Sequence, residues 1–296
     1  MSLWHDMSWV PALRHPALTP LFEGFTLAGY PLFYLALLPL VHWLWKPRES
    51  HRLVAFLIVS ALLNSLLKDT FDDPRPDAAF ALDGRVGDSY GFPSGHAQLA
   101  VVTWGYLAVM AQAAWARLGA AVMILGIALS RLYLGVHDLE DVVGGLGLGG
   151  VSLALMVRWQ DVLAARWQAL GPLRQAAVML LPLIVASFAW PEPDGPGGVL
   201  ALGAYLFGWW LGARLLPQQT PWDSAAPRRR GAFAALAVLA LGGLFYGLGK
   251  TGGLLVSLGL GESAAFLLQT GLMGLYVTAL GGGISRLNGG AEPGKG

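Results

Sequence analysis

Three short stretches hold residue types that do chemistry. KDTFDDPRP carries Lys68 and Arg75, with six residues between them and Pro76 after. PSGH carries Ser94, Gly95 and His96. SRLYLGVHDLED carries Arg131, His137 and Asp141. Together these suit a phosphoryl group, which brings roughly 1.5–2 negative charges at neutral pH. Lys68, Arg75 and Arg131 would neutralise it, and arginine adds a bidentate fork that lysine lacks. If a helix begins at PSGH, its free N–H groups and positive dipole end face the anion. Gly95, without a side chain, would let a phosphate approach that backbone closely. Ser94 would add a hydroxyl donor. His137 and Asp141 stand at i and i+4, so on a helix both project from one face. A carboxylate on one imidazole nitrogen fixes the tautomer and raises the basicity of the other, which prepares a nucleophile. His96 would protonate the departing alkoxide and then activate water.

Each piece also has a plainer reading. Lys68 ends an apolar helix, where lysines commonly snorkel to the interface. Arg75 stands between prolines and could be solvated. Ser94 is a favoured N-cap. Asp72, Asp73, Asp138 and Glu140, with the two histidines, could bind a divalent metal, although no familiar spacing such as H-E-x-x-H occurs. The expected sites include no metal and no cofactor. Asp72 and Asp73 more simply orient Lys68 or Arg75, or face water. The plain readings fail jointly, because all three pieces fall in order on one expected side of a membrane.

The elements that must position these residues are membrane helices. The 296-residue chain is 55% hydrophobic and only 12% charged, against about 25% charged in soluble domains. Mean hydropathy is +0.56. A crossing helix needs about 20 apolar residues, and nine stretches qualify: 24–45, 51–67, 97–116, 118–134, 139–157, 173–190, 198–216, 231–249 and 263–283. The expected fold is an all-α polytopic transmembrane bundle. Residues 1–23 read as an interfacial segment, 24–158 as core helices carrying the three stretches, and 159–296 as further helices of unassigned role. No basic, apolar and cleavage regions of a signal peptide are evident at the start. The chain has no cysteine, so disulfides and thiolate chemistry are excluded. Its net charge of +1 argues against nucleic acid as a partner.

Alternating the loops puts thirteen of the nineteen lysines and arginines on one side. By the positive-inside rule that side is cytoplasmic. Lys68, Arg75 and Arg131 fall on the other side, against the bias, in the loops that hold His96 and His137. Gly144–Gly150, GGLGLGG, is not a nucleotide loop, because no strand precedes it. Small residues there let helices pack closely.

K-x6-RP, PSGH and SR-x5-H-x3-D resemble the three signature motifs of the type 2 phosphatidic acid phosphatase superfamily. That group includes lipid phosphate phosphatases, bacterial polyprenyl diphosphate phosphatases, glucose-6-phosphatases and vanadium haloperoxidases. The resemblance covers about residues 50–155, with no departure at a motif position. It implies a metal-independent phosphatase with His137 as nucleophile, Asp141 as its orienting partner and His96 as acid. Lys68, Arg75, Ser94, Gly95 and Arg131 would bind phosphate. The implied substrate is a lipid phosphate, such as a monoester or an isoprenoid (undecaprenyl-type) diphosphate, met with membrane lipids on the non-cytoplasmic face of an inner or plasma membrane. A soluble phosphomonoester such as a sugar phosphate, or a lipid-phosphate carrier, is the alternative.

Overall fold

In the computed structural model the residues described are 4–87, 89–191, 196–216, 227–259 and 261–289. Among them there is no strand, and the chain is all-α. Ten α-helices follow in order: α1 Thr19–Leu27, α2 Pro31–Leu44, α3 Pro47–Phe71, α4 Gly95–Ala111, α5 Ala114–Tyr133, α6 Leu139–Ala169, α7 Pro172–Ala189, α8 Gly197–Leu215, α9 Pro227–Ser257 and α10 Glu262–Gly289.

Seven of these are long and apolar enough to cross a bilayer, or eight if the bent pair α1–α2 is one span. The protein is an integral membrane protein. The nine expected crossings differ from this count at α4, whose 17 residues rise only about 25 Å at 1.5 Å per residue. The first expected span, 24–45, is broken: α1 and α2 meet at 58°. Gly29 and Tyr30 lie at the break, and Pro31 opens α2, where a missing N–H costs nothing. The expected span 139–157 is the start of a longer helix, because α6 runs on to Ala169.

The chain divides into two compact units. One contains the residues up to Leu35 together with Ala55–Ala169. The other contains Ala36–Val54, Leu170–Trp190 and the chain from Asp194 on.

In the first unit, α4 packs between α5 and α6. Ala97, Ala128, Leu132 and Val142 form a buried cluster there. Glycines set the approach of α6 to α4. A Cβ on Gly145 would lie 2.4 Å from the Ser94 carbonyl oxygen, and one on Gly149 would lie 2.6 Å from that of Gln98. Gly147 and Gly150 in the same run have nothing within 4 Å. The glycine-rich run thus has one packing face, at i and i+4, and one open face.

In the second unit, α8 lies against α10 with equally little space. A Cβ on Gly208 would lie 1.8 Å from the Gly271 carbonyl oxygen, and one on Gly274 would lie 2.1 Å from that of Tyr205. Thr278 Oγ1 donates to the Trp209 carbonyl at 2.8 Å, and Trp43 Nε1 donates to the Val277 carbonyl at 2.8 Å. Such backbone approach and hydrogen bonding substitute for the hydrophobic effect, which does not act between helices in lipid.

Candidate active site

All eight residues singled out by the motifs lie in the first unit. Lys68 sits in the last turn of α3. It is buried, and its Nζ donates to the carbonyls of Tyr90 and, at 2.8 Å, Gly91. It therefore does not snorkel outward. It holds the strand of chain that leads into PSGH. Gly91 N–H in turn donates to the Asp73 carbonyl at 2.7 Å. Asp72 ends α3 in the left-handed region, at φ 53°, and is exposed.

α4 starts at Gly95, with Ser94 as its N-cap residue. The serine side chain makes no capping bond. Its Oγ is buried and has no hydrogen-bond partner. The Ser94 N–H donates to the Asp141 carbonyl at 2.9 Å, which ties the start of α4 to the start of α6. The structure gives Gly95 a second reason beside the expected one. The place a Cβ would take lies 2.9 Å from Asn64 Oδ1, so the missing side chain makes room for Asn64. Asn64 Nδ2 donates to the Pro93 carbonyl at 3.1 Å and to Gln98 Oε1 at 2.8 Å. Gln98 Nε2 continues to Ser60 Oγ at 2.7 Å. This buried amide network fastens α4 to α3 directly beneath the motif.

His137 lies in the turn between α5 and α6. Gly135 makes that turn possible: its φ is +69°, and a Cβ there would lie 2.0 Å from the Phe80 carbonyl oxygen. Asp138 and Asp141 form a reciprocal cap at the start of α6. Asp138 Oδ1 accepts from the Asp141 N–H at 3.0 Å, and Asp141 Oδ2 accepts from the Asp138 N–H at 3.2 Å. The same Asp141 oxygen lies 2.8 Å from His137 Nδ1. That bond puts the proton on Nδ1 and leaves the Nε2 lone pair free to accept. The Nη1 of Arg75 reaches Nε2 at 3.1 Å and the Val136 carbonyl at 2.7 Å. Its Nη2 donates to Ser89 Oγ at 2.8 Å. Burial, then the charges of Arg75, Lys68 and Arg131, push the proton affinity of His137 well below the ordinary histidine value. The expected rise in basicity from Asp141 is outweighed, and His137 is neutral at pH 7.

Arg131, in the last turn of α5, has 1% of its surface exposed. Its Nη1 donates to Thr26 Oγ1 and, at 3.1 Å, to Asp83 Oδ2. Its Nε has no partner. Asp83 also accepts from Tyr30 OH at 2.6 Å and from Arg85 Nε at 2.8 Å. Burial pushes the Asp83 carboxyl up, but the bonds from Tyr30 and Arg85 and the charge of Arg131 outweigh it and hold it at about 2. His96 lies edge-on to Tyr30, ring centroids 4.6 Å apart, and its Nε2 is buried without a partner. The break between α1 and α2 leaves room for this ring: a Cβ on Gly29 would lie 2.2 Å from His96 Cδ2.

The structure thus brings His137, Asp141, Arg75 and the start of α4 into direct contact, with Lys68 one backbone segment away. His96 and Arg131 share Tyr30 as a neighbour. Four buried polar atoms of the motif residues have no partner: Ser94 Oγ, His96 Nε2, Arg131 Nε and Asp141 Oδ1. Unpaired buried polar groups are costly, and the first three belong to residues that the resemblance assigns to phosphate or its leaving group. Among the described residues, no three His, Asp or Glu side chains gather as a metal-ligating group. Asp138 and Glu140 instead face His5, at 2.7 and 3.1 Å. The sequence reading did not single out Asp83, Tyr30, Gly29, Asn64 or His5. The glycine in LGVHD was a readable signal for a left-handed turn; the other five carried none.

Residues 50–164 match the family model described as the PAP2 superfamily. The chain is similar to sphingosine-1-phosphate phosphatase 2 of Mus musculus, with 27% identity over 219 residues, covering 68% of this chain and 61% of that protein. It thus spans less than two thirds of that relative's length. It is also similar to phosphatidylglycerophosphatase B of Bacillus subtilis, with 29% identity over 150 residues, 46% of this chain and 72% of that protein. Among solved structures, a transmembrane PAP2-type phosphatidylglycerolphosphate phosphatase from Bacillus subtilis aligns at TM-score 0.45 and 26% identity, over 52% of this chain and 82% of that one.

Proposed function

We propose that this chain, whose residues 50–164 match the PAP2 superfamily model, is an integral membrane phosphatase acting on a lipid phosphate monoester or polyprenyl diphosphate. The observation that carries this reading is the bonded series Asp141–His137–Arg75, at 2.8 and 3.1 Å. It sets a neutral imidazole, whose Nε2 lone pair accepts from Arg75, beside a cation suited to phosphoryl oxygens.

In the proposed reaction His137 Nε2 attacks phosphorus, forming a P–N bond as the P–O bond to the lipid breaks. Arg75 exchanges its imidazole acceptor for a phosphoryl oxygen. Lys68, Arg131 Nε, Ser94 Oγ and the N-terminus of α4 stabilise the remaining charge. His96, entering as the imidazolium, gives its proton to the leaving oxygen, which is the alkoxide of a monoester or the lipid monophosphate of a diphosphate. Water then attacks the phosphohistidine, His96 takes a proton from that water, and the P–N bond breaks to release inorganic phosphate. Asp141 keeps His137 in the tautomer that both steps need.

The site's place among apolar helices supports an amphiphilic substrate whose tail stays in lipid. The bias of lysine and arginine supports a site on the non-cytoplasmic face. The test is phosphate release by the purified protein in vesicles, across lipid monophosphates, polyprenyl diphosphates and sugar phosphates, with His137→Ala as control. Release from a lipid phosphate, lost in His137→Ala, is expected. Binding without release, or turnover of sugar phosphates alone, would overturn the lipid phosphatase reading.

A further inference from the structure

His5 belongs to no motif, yet it is seated on the turn that carries His137. Its Nδ1 lies 2.7 Å from Asp138 Oδ2 and its Nε2 lies 3.1 Å from Glu140 Oε2. Ionised carboxylates only accept hydrogen bonds. The first contact is a hydrogen bond that calls for a proton on Nδ1, and the second brings a carboxylate charge to 3.1 Å from Nε2, so the two together favour the imidazolium. Beside it, the Trp4 carbonyl accepts from the Leu139 N–H at 3.2 Å. That N–H is one of the first four of α6, which have no partner inside the helix. Met7 and Val10, a few residues on, are buried at 3% and 1% exposure, so this segment is packed down rather than loose. Asp138 transmits the restraint inward. Its other oxygen and its own N–H hold Asp141, and Asp141 holds His137.

We infer that His5 is a positioning residue: as an imidazolium bridging Asp138 and Glu140, it clamps the N-terminal segment onto the start of α6 and keeps the Asp141–His137 pair aligned for attack. The inference rests on the phosphatase reading for its kinetic consequence. Half-exposed ion pairs add little to global stability, so the clamp acts on the geometry of the turn and not on the fold. The groups that face His5 are acidic: Asp138 and Glu140 at the start of α6, and Asp73 after α3, with Asp6 next to it in the chain. The bond to Asp138 raises its proton affinity above the ordinary histidine value. The clamp is therefore present at lower pH and released as pH rises through that raised midpoint.

The experiment compares phosphate release by the full-length protein, His5→Gln and His5→Lys in vesicles from about pH 6 to pH 9. His5→Gln should lower kcat about tenfold with KM within about twofold. It should also abolish the decline that the wild type shows as pH rises through the midpoint of His5. His5→Lys keeps a cation and should recover most of the rate above that midpoint. Wild-type kcat in His5→Gln, or a reduced kcat with the wild-type pH profile, would overturn the clamp. If the wild type releases phosphate from no substrate, the phosphatase reading fails, and the clamp is judged by NMR titration of the His5 ring. A raised midpoint that drops in Asp138→Asn supports it; an ordinary midpoint in the wild type overturns it.

Discussion

Arg131 and Asp83 form an ion pair, Nη1 to Oδ2 at 3.1 Å, with 1% of each side chain exposed. Asp83 holds one edge of the guanidinium and leaves Nε without a partner. Breaking a buried pair costs about 3–5 kcal/mol, because the remaining charge has no compensation. Asp83→Ala should therefore lower the thermal unfolding midpoint in detergent by several degrees. The folded-state carboxyl is depressed to about 2 from 3.8. Its contribution is thus complete above about pH 4 and lost as pH falls toward 2. Arg131→Lys keeps the charge and loses the fork, so phosphate release should fall by about 100-fold or more. Wild-type melting in Asp83→Ala, or full activity in Arg131→Lys, would contradict these roles.

His137 is buried and faces three cations, so its proton comes off well below pH 6.5. The acid limb of kcat/KM should accordingly not lie near pH 6.5. Arg75→Gln removes one cation, which raises the proton affinity of His137. The expected result is a limb moved to higher pH together with a lower rate. Asp141→Asn disturbs the tautomer and should cost about 100- to 10,000-fold in kcat. A pH–rate profile on the three proteins decides this, and an unmoved limb in Arg75→Gln counts against the electrostatic account.

Gly29 and Gly24 lie five positions apart near the break in the first span, and their surroundings differ. A Cβ on Gly29 would strike the His96 ring at 2.2 Å, whereas Gly24 has nothing within 4 Å. Gly29→Ala should displace His96 and reduce turnover by about 100-fold, as small misplacements of catalytic groups do. Gly24→Ala should behave as wild type. Equal turnover in the two variants would show that His96 does not depend on this opening.

Gly145 and Gly149 face α4 at distances that exclude a side chain, whereas Gly147 does not. Gly149→Val should destabilise the protein by about 1–3 kcal/mol or more, through overpacking against backbone. Gly147→Val should cost well under that, chiefly a change of helix propensity within lipid. Thermal unfolding of both variants in the same detergent checks the asymmetry.

Residue types and spacing were enough to read the three motifs, the apolar all-α class of the chain and most of its membrane helices, but not the break in the first of them. Those signals are local: a helix needs its own apolar run, and His137 and Asp141 meet because four residues make about one helical turn. The bond between them is at i and i+4. Tertiary structure alone decided the rest. Asp83 and Arg131 are 48 residues apart, Thr26 and Arg131 are 105 apart, and His5 and Asp138 are 133 apart. No local pattern marks such partners, because an aspartate in a loop looks solvated until a fold buries it against a cation. The same holds for glycine. Gly95 reads as an opening for an anion, and only the packing of α3 shows that a side chain there would also meet Asn64. The chemistry proposed for this protein rests on its motifs, but their alignment depends on contacts between distant segments, which form only when the helices pack.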